Sequence, residues 1–549
     1  MCRVVRCVTI IAIAIGIPLQ SVAQPSQAGA PTIKSSTELV LVPAVVQDKS
    51  GAAITDLKRE DFLLKQDGKP QSITVFEQVN PDSSPVRRSD GSPQTFSNFG
   101  PRSGEYHRLI IIVLDFANTP YADQANARKE LLKFLSDVAE RGQPMCLFAL
   151  TRYGLSLLQN FTDDPKVLAA ALREAPSHNA PLIHEPQTVP GEFGPELGFL
   201  ERIIRANLQG ESRMDSLVTK AAASVTSRAL RQIATAFRGM PGRKSLIWAS
   251  SGFPFSISSP AHDICEPGCP DRDAYDHLWR MMNDAQIAIY SVDLRAASLS
   301  TAQNPGGVRP SEMGDTDFDS DTEARWKRED SSNTLRLFAE NTGGKAFLGG
   351  ADLIRAFREA TQDDSSYYML GYYLTRNTKP GWHSISVTTV RKGVRLRFRN
   401  GLLVTRDASQ PSARSDMQLA VTSPFDFVGM PVSVTLSGQK PDKSAGKTRV
   451  QFDLVMPPSF ASVDEADQNH MIVDIAAVAR NLKGEVAAEL YQRIDSHLKA
   501  DGLEQIQNNG MTYRNGLSLP AGEYRVRFIV RDSLGNRMGS VAAPVTVAP

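Results

Sequence analysis

Cysteine is scarce in this chain: five in 549 residues. Two of them, Cys2 and Cys7, stand at the very start, so a dense disulfide framework is excluded as the source of stability. An excess of charge of one sign is also missing. Lys and Arg number 61 against 60 Asp and Glu, a formal net charge of +1. That balance removes any whole-chain electrostatic argument for nucleic acid, and no nucleic-acid partner is expected. Aromatic residues make up only 7%. Past the N-terminus no apolar run is long enough to span a bilayer. Disorder is excluded by what is present: 41% hydrophobic and 22% charged residues are ordinary globular values. At about 150 residues per domain, the length implies roughly three to four domains.

The one membrane-like stretch opens the chain. Arg3 and Arg6 precede an apolar run from Val8 to Leu19, and Ser21-Val22-Ala23 supplies small residues for a cleavage site. This three-part pattern predicts a secretory signal peptide over 1–23, with an uncleaved anchor as the alternative. The mature chain is then expected to begin near Gln24, to be secreted or periplasmic, and to carry no membrane span. Cys265 and Cys269 enclose Glu-Pro-Gly in a polar loop. In an oxidising compartment they are a disulfide candidate. Free thiols, or zinc held with His262 and His277, are the alternatives, although the spacing fits no standard zinc signature. Cys146 lies within Met145 to Leu150 and reads as a buried strand residue.

Hydrophobic patterning divides the chain. Residues 37–79 alternate like strands around the turns Asp48-Lys49-Ser50-Gly51 and Gln66-Asp67-Gly68-Lys69-Pro70, predicting a small β module. Residues 80–104 read as a linker. At Leu109 to Leu114 the pattern becomes a continuous apolar run, as a strand buried on both faces requires, and it ends in Asp115. Helical and strand-like segments then alternate to Glu359. They predict an α/β domain over 105–404 with a doubly wound, mostly parallel sheet, interrupted by insertions at 175–214 and 296–332. The acidic run after Asp315 fails as a calcium loop, because Ser320 and Trp326 stand where Gly and Glu are needed. Strands at 367–374, 385–390 and 394–398 are expected to complete or flank the sheet. A linker at 405–416 precedes a β-sandwich over 417–549.

Ile112 to Thr119, Pro241 to Trp248, Asn341 to Phe347 and Tyr367 to Tyr372 resemble a von Willebrand factor type A domain. With Val45 to Phe76, the chain more narrowly resembles the secreted acidobacterial family of such proteins. The resemblance implies a Mg²⁺ site at the carboxyl ends of the strands. Its first loop, Asp-x-Ser-x-Ser, corresponds to Asp115, Ala117 and Thr119. Thr226 stands for the second-loop Thr, and Ser251 stands where a third-loop Asp belongs. The implied site is therefore degenerate: Asp115, Thr119, Thr226 and Ser251 hold one carboxylate between them. No cofactor is expected, and Mg²⁺ binding no tighter than roughly millimolar.

Enzyme signatures are missing. Gly242-Arg243-Lys244-Ser245 lacks the spacing of a phosphate loop and precedes a strand instead of following one. Ala249-Ser250-Ser251-Gly252 lacks the first glycine of a nucleophile elbow. The expected function is extracytoplasmic protein binding of an adhesion type, to an unidentified protein ligand. The alternatives are a structural scaffold in an envelope or secreted assembly, and a zinc-dependent hydrolase.

Overall fold

The computed structural model describes residues 39–79, 95–98, 109–137, 144–176, 220–253, 272–295, 331–349, 353–363, 366–375, 378–405, 413–442, 446–458, 460–467 and 469–548. The signal segment and the Cys265–Cys269 loop lie outside these residues, as do the two insertions apart from their ends. Four strands come first: β1 (Leu39–Gln47), β2 (Phe62–Gln66), β3 (Lys69–Gln71) and β4 (Val75–Val79). A short β5 (Thr95–Ser97) follows. The alternating region begins with β6 (Leu109–Asp115), α1 (Tyr121–Asp137), β7 (Met145–Thr151), β8 (Gly154–Thr162) and α2 (Pro165–Glu174). It continues through α3 (220–237), β9 (Lys244–Ser250), α4 (Arg272–Asp284), β10 (Ile287–Asp293), α5 (331–342), β11 (Lys345–Phe347) and α6 (Leu353–Asp363).

The central sheet has the order β11-β10-β9-β6-β7-β8. All neighbours are parallel except β8, which runs antiparallel to β7 at one edge. The unbroken apolar run of β6 is explained by its two buried faces. Leu109, Ile111 and Val113 join a core with Leu230, Ile233 and Phe237 of α3 and Leu278 and Met282 of α4. Ile110, Ile112 and Leu114 join a second core with Leu131 and Phe134 of α1, Leu168 of α2 and Phe357 of α6. With period-two alternation, both sets must be apolar. Helix α2 starts where the sequence dictates: Asp164 accepts from Lys166 N at 2.9 Å and Pro165 opens the first turn. Cys146 is fully buried in β7, and burial pushes its thiol well above the usual range.

After α6 come β12 (Tyr367–Tyr373), β13 (Gly381–Thr389), β14 (Arg395–Arg397) and β15 (Gly401–Val404). The expectation that these strands complete or flank the central sheet is corrected. β12 pairs with β1 and β4, and β13 pairs with β2. Two four-stranded sheets, β14-β1-β12-β4 and β15-β13-β2-β3, share a core of Val42, Leu64, Tyr368, Leu370 and Val387. The early β module and the strands after 366 are thus one unit, and the α/β domain is inserted between its halves.

The last region holds α7 (Ala413–Thr422), β16 (Ser433–Pro441), β17 (Thr448–Met456), β18 (His470–Asn481), β19 (Val486–His497), α8 (Ala500–Asn509), β20 (Met511–Leu519), β21 (Gly522–Asp532) and β22 (Arg537–Val547). Sheets β20-β17-β16-β5 and β19-β18-β21-β22 enclose Phe452, Val473, Ile475, Phe528 and Val541. Two boundaries shift from expectation. β5 lies inside the stretch read as a linker, where it pairs with β16, and α7 begins within 405–416. The sandwich also packs on the α/β domain: Phe425, Phe427, Ile529 and Met538 share the core of α3. The contact is close, since a Cβ on Gly429 would lie 1.8 Å from the Arg238 carbonyl oxygen. Among the described residues no helix is long and apolar enough to cross a membrane.

Candidate functional site at the carboxyl end of the central sheet

The chain leaves β6 toward β7 on one side, and leaves β9 toward β10 on the other. β6 and β9 are neighbours, so the strand order reverses between them. Loops diverge at such a point and leave a crevice beyond the carboxyl ends of the strands. Asp115 is the last residue of β6 and Ser250 the last of β9. Asp293 ends β10, where Arg295 clamps it through Nε at 2.8 Å and Nη2 at 2.6 Å.

Around Asp115 every partner is neutral. Oδ1 accepts from the Asn118 backbone N–H at 3.1 Å and from Asn118 Nδ2 at 3.0 Å. Oδ2 accepts from Asn118 Nδ2 at 2.8 Å and from Ser250 Oγ at 2.9 Å. Asn118 Nδ2 also reaches Thr226 Oγ1 at 2.9 Å. Asp115, Asn118, Thr119, Thr226 and Ser250 are all buried. Burial pushes the Asp115 carboxyl up to about 6, against the opposing pull of its Asn118 and Ser250 hydrogen bonds. Thr119 Oγ1 accepts from Ser251 N at 3.1 Å, and Ser251 Oγ donates to Asp123 at 2.9 Å.

The four residues anticipated from the sequence are therefore brought together, in two neighbouring hydrogen-bonded sets, Asp115–Asn118–Thr226–Ser250 and Thr119–Ser251–Asp123, that meet along the chain at Ser250–Ser251. Three members of these sets were missed. Asn118 occupies a variable position of the resemblance motif, yet its three-residue offset from Asp115 is the spacing at which an Asp side chain caps a local turn. Ser250 ends an apolar strand as Asp115 does, and that shared position was its signal. Asp123 enters through Ser251, a pairing of distant residues with no local signature.

The donor set does not fit Mg²⁺. That ion takes about six oxygens in near-octahedral array and is usually held by carboxylates. Here both oxygens of the Asp115 carboxylate already accept from Asn118 and Ser250. Ala117 brings no hydroxyl. The Asn118 amide nitrogen lies within hydrogen-bond distance of three oxygens, both of Asp115 and the hydroxyl of Thr226, so the oxygens are already engaged by a neutral donor. Its own Oδ1 is buried with no hydrogen-bond partner among the described residues.

At the other end of the sheet, the Arg243-Lys244 segment is structural. Lys244 Nζ donates to the Met240 and Gly242 carbonyl oxygens, each at 2.7 Å, and Arg243 Nη2 donates to Tyr290 Oη at 2.8 Å. Tyr290 Oη donates to buried Asp363, which also binds Arg397 and Gln47 of the first β unit.

No family model matches the chain, and no curated protein matches it. A matching solved structure is a von Willebrand factor type A protein from Catenulispora acidiphila. It is 10% identical, with 89% of this chain and 74% of that one covered, at a TM-score of 0.20. So low a score adds no weight, and the mixed α/β architecture rests on the strand order and register described above.

Proposed function

We propose that the α/β unit is a von Willebrand type A-like domain whose carboxyl-end crevice docks a protein partner outside the cytoplasm without a bridging cation. The observation that carries this reading is the Asn118 amide, held against Asp115 and Thr226 at the point where the strand order reverses. It fills internally the position through which a metal-bridged contact would run. Binding then depends on side chains at the rim. Tyr121 follows the site loop and is 48% exposed, and Tyr153 caps the β7–β8 turn at 90% exposure. Exposed tyrosines are the residue type that anchors protein interfaces. No catalytic role is assigned to any residue of the crevice.

The test is partner capture from the native extracytoplasmic fraction, with and without EDTA. The expected result is a partner retained in EDTA and lost when Tyr121 and Tyr153 are both changed to Ala. Loss of the partner in EDTA, together with a thermal midpoint raised by Mg²⁺, overturns the cation-free reading.

A structural scaffold is the second reading. A buried ionic set joins the sandwich to α7: Arg531 lies 3.6 Å from Asp416 and 3.7 Å from Asp474. Rigid joining of units is what a scaffold needs, and a tyrosine-independent assembly would favour it.

A further inference from the structure

A second cluster of chemistry-bearing side chains lies far along the chain from Asp115, at the open end of the β18–β19 hairpin. His470 begins β18 and His497 ends β19, and the two are direct cross-strand partners. Their rings are stacked, with centroids 4.5 Å apart and planes within 7°. The helical turn Glu465–Asp467 lies just before β18. It is held in place by a reciprocal backbone pair between Asp464 and His470, at 2.9 and 3.1 Å. Leu498 N also donates to the Asn469 carbonyl at 3.0 Å, which fixes the end of β19. Three backbone segments are thus tied together before any side chain acts.

Asp467 faces both rings: Oδ2 lies 3.3 Å from His470 Nδ1 and Oδ1 lies 3.8 Å from His497 Nε2. One ligand atom each from Asp467, His470 and His497 fall within 4.8 Å of one another. For metal–nitrogen and metal–oxygen bonds of about 2.0–2.1 Å, the edge of a tetrahedron is about 3.3 Å. The Asp467–His470 separation already equals that edge. The outer nitrogen of His470 is engaged as a metal-binding imidazole requires, with Nε2 2.7 Å from Asp495 Oδ1. A carboxylate on the far nitrogen fixes the tautomer and aims the near nitrogen at the ion. His497 is half-exposed, so the tilt that brings its Nε2 onto the same ion meets little packing.

We propose that Asp467, His470 and His497 bind a divalent transition-metal ion of the Zn²⁺ class, with Asp495 as the positioning residue for His470. Two imidazoles and one carboxylate suit such an ion better than Mg²⁺ or Ca²⁺, which prefer all-oxygen sites. Three protein ligands leave a fourth, solvent-facing position open. The bound ion ties the start of β18 and the end of β19 to the turn before them.

The experiment uses the full mature chain carrying Cys265→Ser and Cys269→Ser, so that thiols contribute nothing, stripped with EDTA and dialysed. Zn²⁺ is titrated calorimetrically, and Co²⁺ is followed by its visible absorption. The expected result is one ion per chain, intense tetrahedral-type Co²⁺ bands, and a thermal midpoint raised by Zn²⁺. His497→Gln and Asp467→Asn each abolish these signals while circular dichroism stays native. Asp495→Asn weakens affinity about 10–100-fold, the effect of removing the partner of a ligating imidazole. If the carboxylates only neutralise a protonated His470, the stripped chain takes up no stoichiometric metal, and the proposal falls. It falls equally if His497→Gln binds as wild type does.

Discussion

Asp115 and Asp474 are both carboxylates with no exposed surface, yet their surroundings treat charge in opposite ways. Among the described residues Asp115 is met by neutral groups: the Asn118 amide and backbone N–H, the Ser250 hydroxyl and the Trp248 side chain. Asp474 accepts from Arg493 Nε at 2.7 Å and from Ser533 Oγ at 2.7 Å, with the Arg531 guanidinium 3.7 Å away. At Asp115 burial wins and the carboxyl rises to about 6. At Asp474 burial is outweighed by Arg493, Ser533 and Arg531, and the carboxyl is held below the usual range. Burial alone therefore does not set the ionisation of a carboxylate: a guanidinium bonded directly to it, as Arg493 is to Asp474, outweighs burial, whereas Asp416, 3.6 Å from Arg531, is still pushed up by burial. The sandwich supplies its cations as side chains. Among the described residues the crevice at β6 and β9 sets no cation against Asp115, and this distinguishes a joint between units from a site at which charge is left unmatched.

The largest expected effect comes from breaking the charged cage. Arg531→Met removes the buried cation shared by Asp416 and Asp474, and leaves two carboxylates short of compensation. Breaking a buried pair from one side costs about 3–5 kcal/mol. Denaturant unfolding followed by circular dichroism at neutral pH should show a loss of that size. The pH profile should change as well. Asp474 has a lowered carboxyl, so its contribution is present above about pH 4 and is lost as the pH falls through its folded value. In Arg531→Met that contribution shrinks, and the variant should approach wild type as the solution is acidified. An equal deficit at every pH would show that Arg531 acts through packing alone.

Asn118→Ala probes the neutral cage and comes next in size. In the wild type, the Asp115 carboxyl near 6 lies above the value of about 3.9 in an unfolded chain. The folded protein then holds a proton that the unfolded chain releases between these values. Stability from this group is complete below about pH 4 and lost as the pH rises through 6, roughly 3 kcal/mol in all. Removing the Asn118 amide takes away hydrogen bonds that stabilise the anion, so the folded carboxyl rises further. The variant should lose about 2 kcal/mol at pH 8, where Asp115 must be charged, and clearly less at pH 5, where it is protonated. A deficit larger at pH 5 than at pH 8 would show that the amide serves the neutral carboxyl instead.

How far the sequence discloses these two regions differs for a physical reason. The apolar runs at Leu109, Met145, Lys244 and Ile287 report burial on two faces, and that property is local to each strand. The order of the strands, with Asp115 beside Ser250, follows from the handedness and switch-point rules of α/β sheets. The partner of Tyr367 to Tyr373 is not local. A seven-residue apolar run satisfies either sheet, and pairing with β1 joins residues more than 300 positions apart. The three residues of β5 are too few to show any period. Asn118 was legible only as a turn former; its contact with Thr226 spans 108 positions. The Arg531 cage is likewise assembled from α7, β18 and β21, which no pattern within one segment connects.

The smallest expected effect sharpens the comparison by removing burial from it. Asp164 is a third carboxylate with an uncharged donor: Oδ1 accepts from Lys166 N at 2.9 Å at the start of α2. In hydrogen-bond type it resembles Asp115, but it is only partly covered and water reaches its carboxylate. Its role is to satisfy one of the free N–H groups of the first helical turn, beside Pro165, which has none to offer. Asp164→Ala should therefore cost about 1 kcal/mol, the usual value of a lost N-cap. Asp164→Asn should restore nearly all of it, because an amide oxygen accepts the same bond and an exposed site gains little from charge. At Asp115 the same change to Asn would place one NH₂ group against another, that of Asn118, and no such rescue is expected. Unfolding of the four proteins, wild type included, at one neutral pH tests this directly. If Asp164→Asn is as damaging as Asp164→Ala, charge at the helix start matters more than the hydrogen bond. Asp115 and Asp164 would then differ in the sign of their electrostatic contribution and not only in burial.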